Sequence, residues 1–225
     1  MALAFVSEQG SHDFAQARKE YEQALALAPG NVAVLRESGR FSALMGRFDA
    51  AITALRRAVV LDPLARSSHL ALGRALYLAR RYTEAAAAFG EVIRLDPVFK
   101  AAYGDQGYAF YGLGDLQMAR AACETQRDDW ESKDCLAVVY DKLGQHEEAK
   151  AELARIRGYW GDAAPYQYAE IYAQWGITSK ALEWAETALR LRDPDLEELK
   201  VDPLLAPIRK ESRFQAIERE LKFPD

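Results

Sequence analysis

The chain has 225 residues, half of them hydrophobic and 28% charged, which is too apolar for disorder throughout and ample for a folded core. A net charge of -5 and a sequence pI near 5.4 set its overall field against phosphate backbones and anionic lipid, so nucleic acid is excluded as a first partner. No stretch has the length and apolarity of a membrane span, and Met1 to Gly10 lacks the basic start and apolar run of a secretion signal. The sequence therefore reads as cytoplasmic, with no membrane contact.

The charge is uneven. Residues 1–99 hold 12 Lys/Arg against 10 Asp/Glu, whereas residues 100–225 hold 17 against 24. Cys123 and Cys135 are too few for a disulfide framework and lack the paired Cys/His spacing of tetrahedral zinc. They read as free thiols, buried or half-buried, in a reducing cytosol.

Taken in chain order, the same landmarks recur. Ala17 and Pro29 mark a first unit, whose first helix is truncated near Met1. Gly39, Ala51 and Pro63 mark a unit near 32–65, and Gly73, Ala85 and Pro97 repeat them 34 residues later in a unit near 66–99. Gly107 and Ala119 continue the phase near 100–129, where the closing proline is lost. The interval then shortens: Gly114, Gly144 and Gly176 lie 30 and 32 residues apart, as do Ala119, Ala149 and Ala181, giving units near 130–161 and 162–195. A period in the thirties marks stacked supersecondary units.

The unit from His69 to Pro97 shows what each landmark does. Leu72, Leu76 and Leu78 supply an apolar stripe at helical spacing. Gly73 has no Cβ and admits a close partner helix, despite a propensity cost of about 1 kcal/mol against Ala. Ala85 suits the crossing of the second helix, and Phe89 fills the space one turn on. Asp96-Pro97 ends the unit, because proline disfavours helical geometry before it and lacks an amide hydrogen. No strand-like alternation competes, so the fold is predicted to be all-α.

Residues 196–225 leave the repeat. Ser212 with Gln215 three residues on is a capping-box signature for a final helix, which would cap the last apolar face of a solenoid.

The combination Leu72-Gly73, Ala85, Phe89 and Pro97 resembles the tetratricopeptide repeat, and Gly46, Gly114, Gly144 and Gly176 match its turn glycine, with Arg80 departing from it. The resemblance covers about residues 11–195. It implies a right-handed α-solenoid of about six helix-turn-helix units over residues 1–195, with a C-terminal capping segment over 196–225. That segment also resembles the close of arrays in multidomain bacterial regulators. By that likeness an N-terminal output module would precede the array in a longer protein.

The resemblance further implies a concave groove lined by first helices, with a protein or peptide as partner. Equivalent positions fall in three rows: Arg40, Arg74, Tyr108, Val138 and Glu170; Arg36, Leu70, Gly104, Asp134 and Tyr166; Ala43, Tyr77, Tyr111, Asp141 and Ala173. Arg36 and Arg40 share a helical face and, with Arg74, suit an acidic group. Tyr77, Tyr108 and Tyr111 offer broad contact with a polar tip. Asp134, Asp141, Tyr166 and Glu170 make the far end acidic. The Lys/Asn/Arg carboxylate clamp of some members is not supplied around Arg36, Arg40, Ala71, Ala101 and Asp105.

Enzymatic constellations are not visible. His12, His69 and His146 are scattered, and no phosphate-cradling or nucleophile-elbow motif occurs. Asp128-Asp129 and Glu147-Glu148 lie in polar segments and read as solvated charge. Tyr103, Trp130, Trp160, Trp175 and Trp184 read as interior packing. No cofactor or metal is called for. A binding scaffold is the expected function; the alternatives are a sensor for a small peptide or metabolite, and a scaffold that self-assembles through its N-terminal unit.

Overall fold

The computed structural model describes residues 13–224. The described residues form α1 (Phe14–Leu27), α2 (Val32–Leu44), α3 (Phe48–Leu61), α4 (Arg66–Leu78), α5 (Tyr82–Leu95), α6 (Ala101–Leu113) and α7 (Leu116–Thr125). There follow α8 (Trp130–Lys142), α9 (His146–Trp160), α10 (Pro165–Gln174) and α11 (Thr178–Leu191), then 3₁₀ turns at Pro194–Glu198 and Ala206–Ile208, and finally α12 (Ser212–Leu221). No strand occurs among the described residues. The first helix of the first unit, the self-assembly surface assigned to it, and His12 lie outside them.

Local chemistry sets the ends of the helices. Asp13, Asn31 and Asp115 cap α1, α2 and α7 by accepting from backbone amides of the first turn, for example Gln16 N to Asp13 Oδ1 at 3.0 Å. Asp62 and Asp96 end α3 and α5 immediately before Pro63 and Pro97. The turns inside the pairs need a left-handed residue. Gly46 (φ 78°), Gly114 (80°), Gly144 (77°) and Gly176 (73°) supply it, and Arg80 (60°) takes the same conformation without glycine's freedom.

Successive helices pack as antiparallel pairs, α2 on α3, α4 on α5, α6 on α7, α8 on α9 and α10 on α11. The first helices also touch along the array, α2 to α4, α4 to α6, α6 to α8 and α8 to α10, forming the inner layer of the stack. The period seen in sequence is a packing period. A Cβ on Gly73 would sit 2.6 Å from a Phe89 ring carbon, and Leu55 holds the matching position against Gly39. Ala17, Ala51, Ala85, Ala119, Ala149 and Ala181 are essentially buried at the crossings.

Two expectations are corrected. Cys123 and Cys135 are not free thiols: α7 and α8 bring them together as a disulfide, with Cys123 at the position in phase with Leu55 and Phe89. Gly107 leaves the room, since a Cβ there would collide with both sulfurs. The reducing-cytosol argument loses its support. Ser212 is not a cap either. The preceding turn delivers the chain one residue earlier, so Glu211 holds the N-cap position with no side-chain hydrogen bond, and Ser212 is already helical.

Residues 196–225 reach beyond the end of the array. Phe214, Ile217 and Leu221 bury the apolar face of α12, which packs on α11. Phe223 then stacks on Phe14 with ring centroids 4.7 Å apart, joining the last segment to the first described helix. Trp175 and Trp184 are half-buried and pack against the core, Trp175 donating to Ala137 O at 2.9 Å and Trp184 meeting Tyr168 edge-on. Trp160 stays 41% exposed.

Candidate functional site

The concave face is not an open trough. The chain leaves α11 and runs across it through Pro194–Glu198 to Leu205, with Leu196, Leu199 and Leu205 fully buried. Polar contacts fix this segment at both ends of the array: Arg40 Nη1 to Glu197 Oε1 at 2.9 Å, Gln167 Nε2 to Asp195 Oδ2 at 2.6 Å and Tyr166 Oη to Asp202 Oδ2 at 3.1 Å. The Gln174 side chain donates to Leu204 O.

Between this segment and the inner helices remains a chamber of about 170 Å³. It collects Arg74, Tyr77, Tyr108, Asp134, Tyr166 and Glu170 from the predicted rows. The other predicted residues stand apart. Arg36 pairs with Glu37 at 2.9 Å and donates to Ser67, Arg40 is held by Glu37 and Glu197, and Asp141 Oδ1 lies 2.8 Å from His146 Nδ1. Tyr111 donates to Gln174 Oε1 at 2.6 Å. Burial, and then the nearby Asp141, push its hydroxyl up to about 12.

Sequence reasoning missed Asp105, Glu198, Asp202 and Leu204 as chamber residues. The tail members carry no repeat phase. Their available signal was a run of acids, Asp193, Asp195, Glu197, Glu198 and Asp202, threaded through the leucines 196, 199, 204 and 205.

The chamber is acidic and open on one side, with Asp134, Tyr166, Glu170 and Asp202 buried in its wall and Arg74 exposed at its rim. Burial pushes the Asp134 carboxyl up to about 7 and the Glu198 carboxyl up to about 8, and it raises Glu170, Asp202 and Asp105 as well. For Glu170 the cause is burial first and then the neighbouring carboxylates of Asp202 and Asp134, which together hold it well above the ordinary range. Tyr108 donates to Asp134 Oδ2 at 2.6 Å, while Asp134 Oδ1, on a side chain only 4% exposed, has no hydrogen-bond partner. Burial holds Tyr77, Tyr108 and Tyr166 well above the ordinary phenol range, so all three stay neutral donors. Arg74 is the cation in the lining, and its guanidinium is 3.1 Å from Asp105.

The remaining candidates are structural. His69 Nε2 is 2.9 Å from Pro63 O at a unit junction. Among the described residues no three His, Cys, Asp or Glu are grouped to hold a metal ion, and no helix is long and apolar enough to cross a membrane.

Helix pairs stacked with one layer facing inward, around a buried polar chamber, define an α-solenoid of the class used for protein interaction. The family profile described as Tetratricopeptide repeat matches residues 4–66, 45–97 and 70–129, and the chain belongs to that family. It is similar to the crystal structure of TTC0263, a thermophilic TPR protein in Thermus thermophilus, at 20% identity and a TM-score of 0.61, over 75% of this chain and 91% of that one. It is similar also to the crystal structure of MamA at 22% identity and a TM-score of 0.53, over 81% and 95% of the two chains. With MamA from Desulfovibrio magneticus RS-1 the identity is 17% and the TM-score 0.55, over 64% and 84%. At these identities the likeness is one of fold. No curated protein sequence matches the chain significantly.

Proposed function

We propose that the chain is a protein-interaction scaffold or adaptor domain, not an enzyme, whose concave face receives a protein or peptide partner. One observation carries this reading: the face already holds a chain segment, the protein's own residues 194–205 in a 3₁₀ helix and turns, by arginine, glutamine and tyrosine side chains. The surface left to a partner is the chamber and its rim. Arg36, Arg40 and Arg74 line the path toward α2, each paired with a carboxylate that a partner's acidic group would have to displace, and Tyr111 and Asp141 flank the path on the other side. Tyr77, Tyr108, Tyr166, Asp134 and Glu170 receive what the partner inserts. The C-terminal segment's resemblance to array ends in bacterial regulators supports placing this activity in a bacterial regulatory protein.

A second reading, a sensor for a small peptide or metabolite, is favoured by the way residues 194–205 close the groove into a chamber. Peptide-display selection on the intact chain tests the first reading. Selected peptides should lose about tenfold or more in affinity for Tyr77→Ala and Tyr108→Ala, the size of effect expected at a binding hot spot. Peptides indifferent to both variants, and to Arg36→Ala with Arg74→Ala, would remove the concave face as the partner site. Small-angle scattering that contracts with a small molecule but not with any peptide would favour the sensor.

A further inference from the structure

We infer that the chamber recognises a cationic head group, an alkylammonium or a guanidinium, with Asp134 as its counter-ion and Tyr77 and Tyr108 as its aromatic wall. The inference rests on the concave face being the partner site and states the charge of what enters.

The first observation is Asp134 itself. Its Oδ2 accepts from Tyr108 at 2.6 Å, but its Oδ1 is buried with no donor. Buried carboxylate oxygens ordinarily have a donor, and Asp134, unlike the other buried oxygens left without one, lines the chamber, where a donor from outside the chain can be brought to it. Ammonium and guanidinium carry donors only, and their charge strengthens each bond.

The second observation is the balance of charge. Asp105, Asp134, Glu170, Asp195, Glu198 and Asp202 face the space with Arg74 as the lining cation; Arg74 is already engaged by Asp105, and Asp195 accepts from Gln167. Burial first, and then the charges of Asp202 and Asp195, favour protons on Asp134 and Glu198. A cation replaces those protons with its own charge. An anion has no comparable place there.

The third is shape. The Tyr77 and Tyr108 rings, 6.3 Å apart and tilted by 44°, both line the space with Asp134, and aromatic rings attract a cation held close to them. The space of about 170 Å³ has the liquid volume of roughly five or six waters at about 30 Å³ each, enough for a head group on a short alkyl stem. A metal ion is a poorer fit, since among the described residues no three of the carboxylates group as ligands.

A head group of this kind can be a lysine or arginine side chain of a partner, or a free amine. Titration calorimetry on the intact protein separates them with N-acetyl-arginine-N-methylamide, its uncharged citrulline counterpart, and agmatine. The arginine amide or agmatine should bind about tenfold or more tightly than the citrulline compound. A tighter arginine amide points to a peptide-borne cation and a tighter agmatine to a free amine. Asp134→Asn should abolish the preference with helical content intact, whereas Tyr108→Phe, which keeps the ring, should retain it. In the wild-type protein, probe methylene protons should show cross-relaxation to the Tyr77 and Tyr108 rings, a readout independent of any variant's folding.

Equal binding of charged and uncharged probes, absence of saturable cation binding, or displacement of the cation by calcium would overturn the inference. Display-selected peptides that still depend on Tyr108 would then leave the partner site standing while removing the charge assigned to it.

Discussion

Arg40 on α2 donates from Nη1 to Glu197 Oε1 at 2.9 Å, tying the second described helix to a residue 157 positions later. Glu37 also accepts from Arg40, at 3.4 Å, so the guanidinium bridges two carboxylates. The Glu197 side chain is 10% exposed and that of Arg40 24%, so water screens the pair only in part. Replacing Arg40 with Ala should cost about 1–2 kcal/mol in urea unfolding. The same change should speed proteolytic cleavage within residues 194–205. An unchanged cleavage rate would mean that the buried leucines hold the segment without it.

Gly73 and Phe89 set the close approach of α4 and α5. The added methyl of Gly73→Ala meets ring atoms at 2.6 and 2.8 Å, and the ring, only 1% exposed, has no empty space to take. Helix propensity favours the alanine by about 1 kcal/mol, while overpacking costs about 1–3 kcal/mol. The net expectation is a lower thermal midpoint. A midpoint that rose would show that the propensity gain outweighs the overpacking at this crossing.

The repeat was legible because its cause is local and recurs: small residues where helices cross, a left-handed residue in each turn, and proline after a helix end. Tyr77, Tyr108, Asp134, Tyr166 and Glu170 could be placed on one face by phase alone. What covers that face could not, because Leu196, Leu199 and Leu205 find their partners through contacts with no sequence period. Cys123 illustrates the same limit. Its phase places it where Leu55 and Phe89 stand, yet only the approach of α8 across Gly107 brings it to Cys135.

That disulfide closes a short loop, its two cysteines being 12 residues apart. In the chain-entropy model a loop of this order stabilises the fold by about 3 kcal/mol. Reduction, or Cys135→Ser, should therefore lower stability by about 2–3 kcal/mol, read from urea denaturation with and without reductant. Removing the thiols by Cys123→Ala with Cys135→Ala should make stability insensitive to reductant. A reductant effect that persisted in the double variant would have to arise elsewhere.

The chamber also sets a pH dependence. Asp134 on α8 is faced by Asp105 and Tyr108 from α6, Arg74 and Tyr77 from α4, Tyr166 and Glu170 from α10, and Asp195, Glu198 and Asp202 from the crossing segment. Carboxyls raised on folding bind protons more tightly in the native state than in the unfolded chain. Their contribution is full below the unfolded carboxylate range and is lost as pH rises through the native values, about 7 for Asp134 and about 8 for Glu198. Each whole proton held in excess by the native state lowers stability by about 1.4 kcal/mol per pH unit across that window. The thermal midpoint should accordingly fall from pH 5 to pH 8, and Asp134→Asn, which cannot ionise, should flatten part of the slope. A saturating cationic probe should flatten it too, by supplying at high pH the positive charge that protons supply at low pH. A midpoint that rose across the interval would mean that the acids ionise freely and that water reaches them.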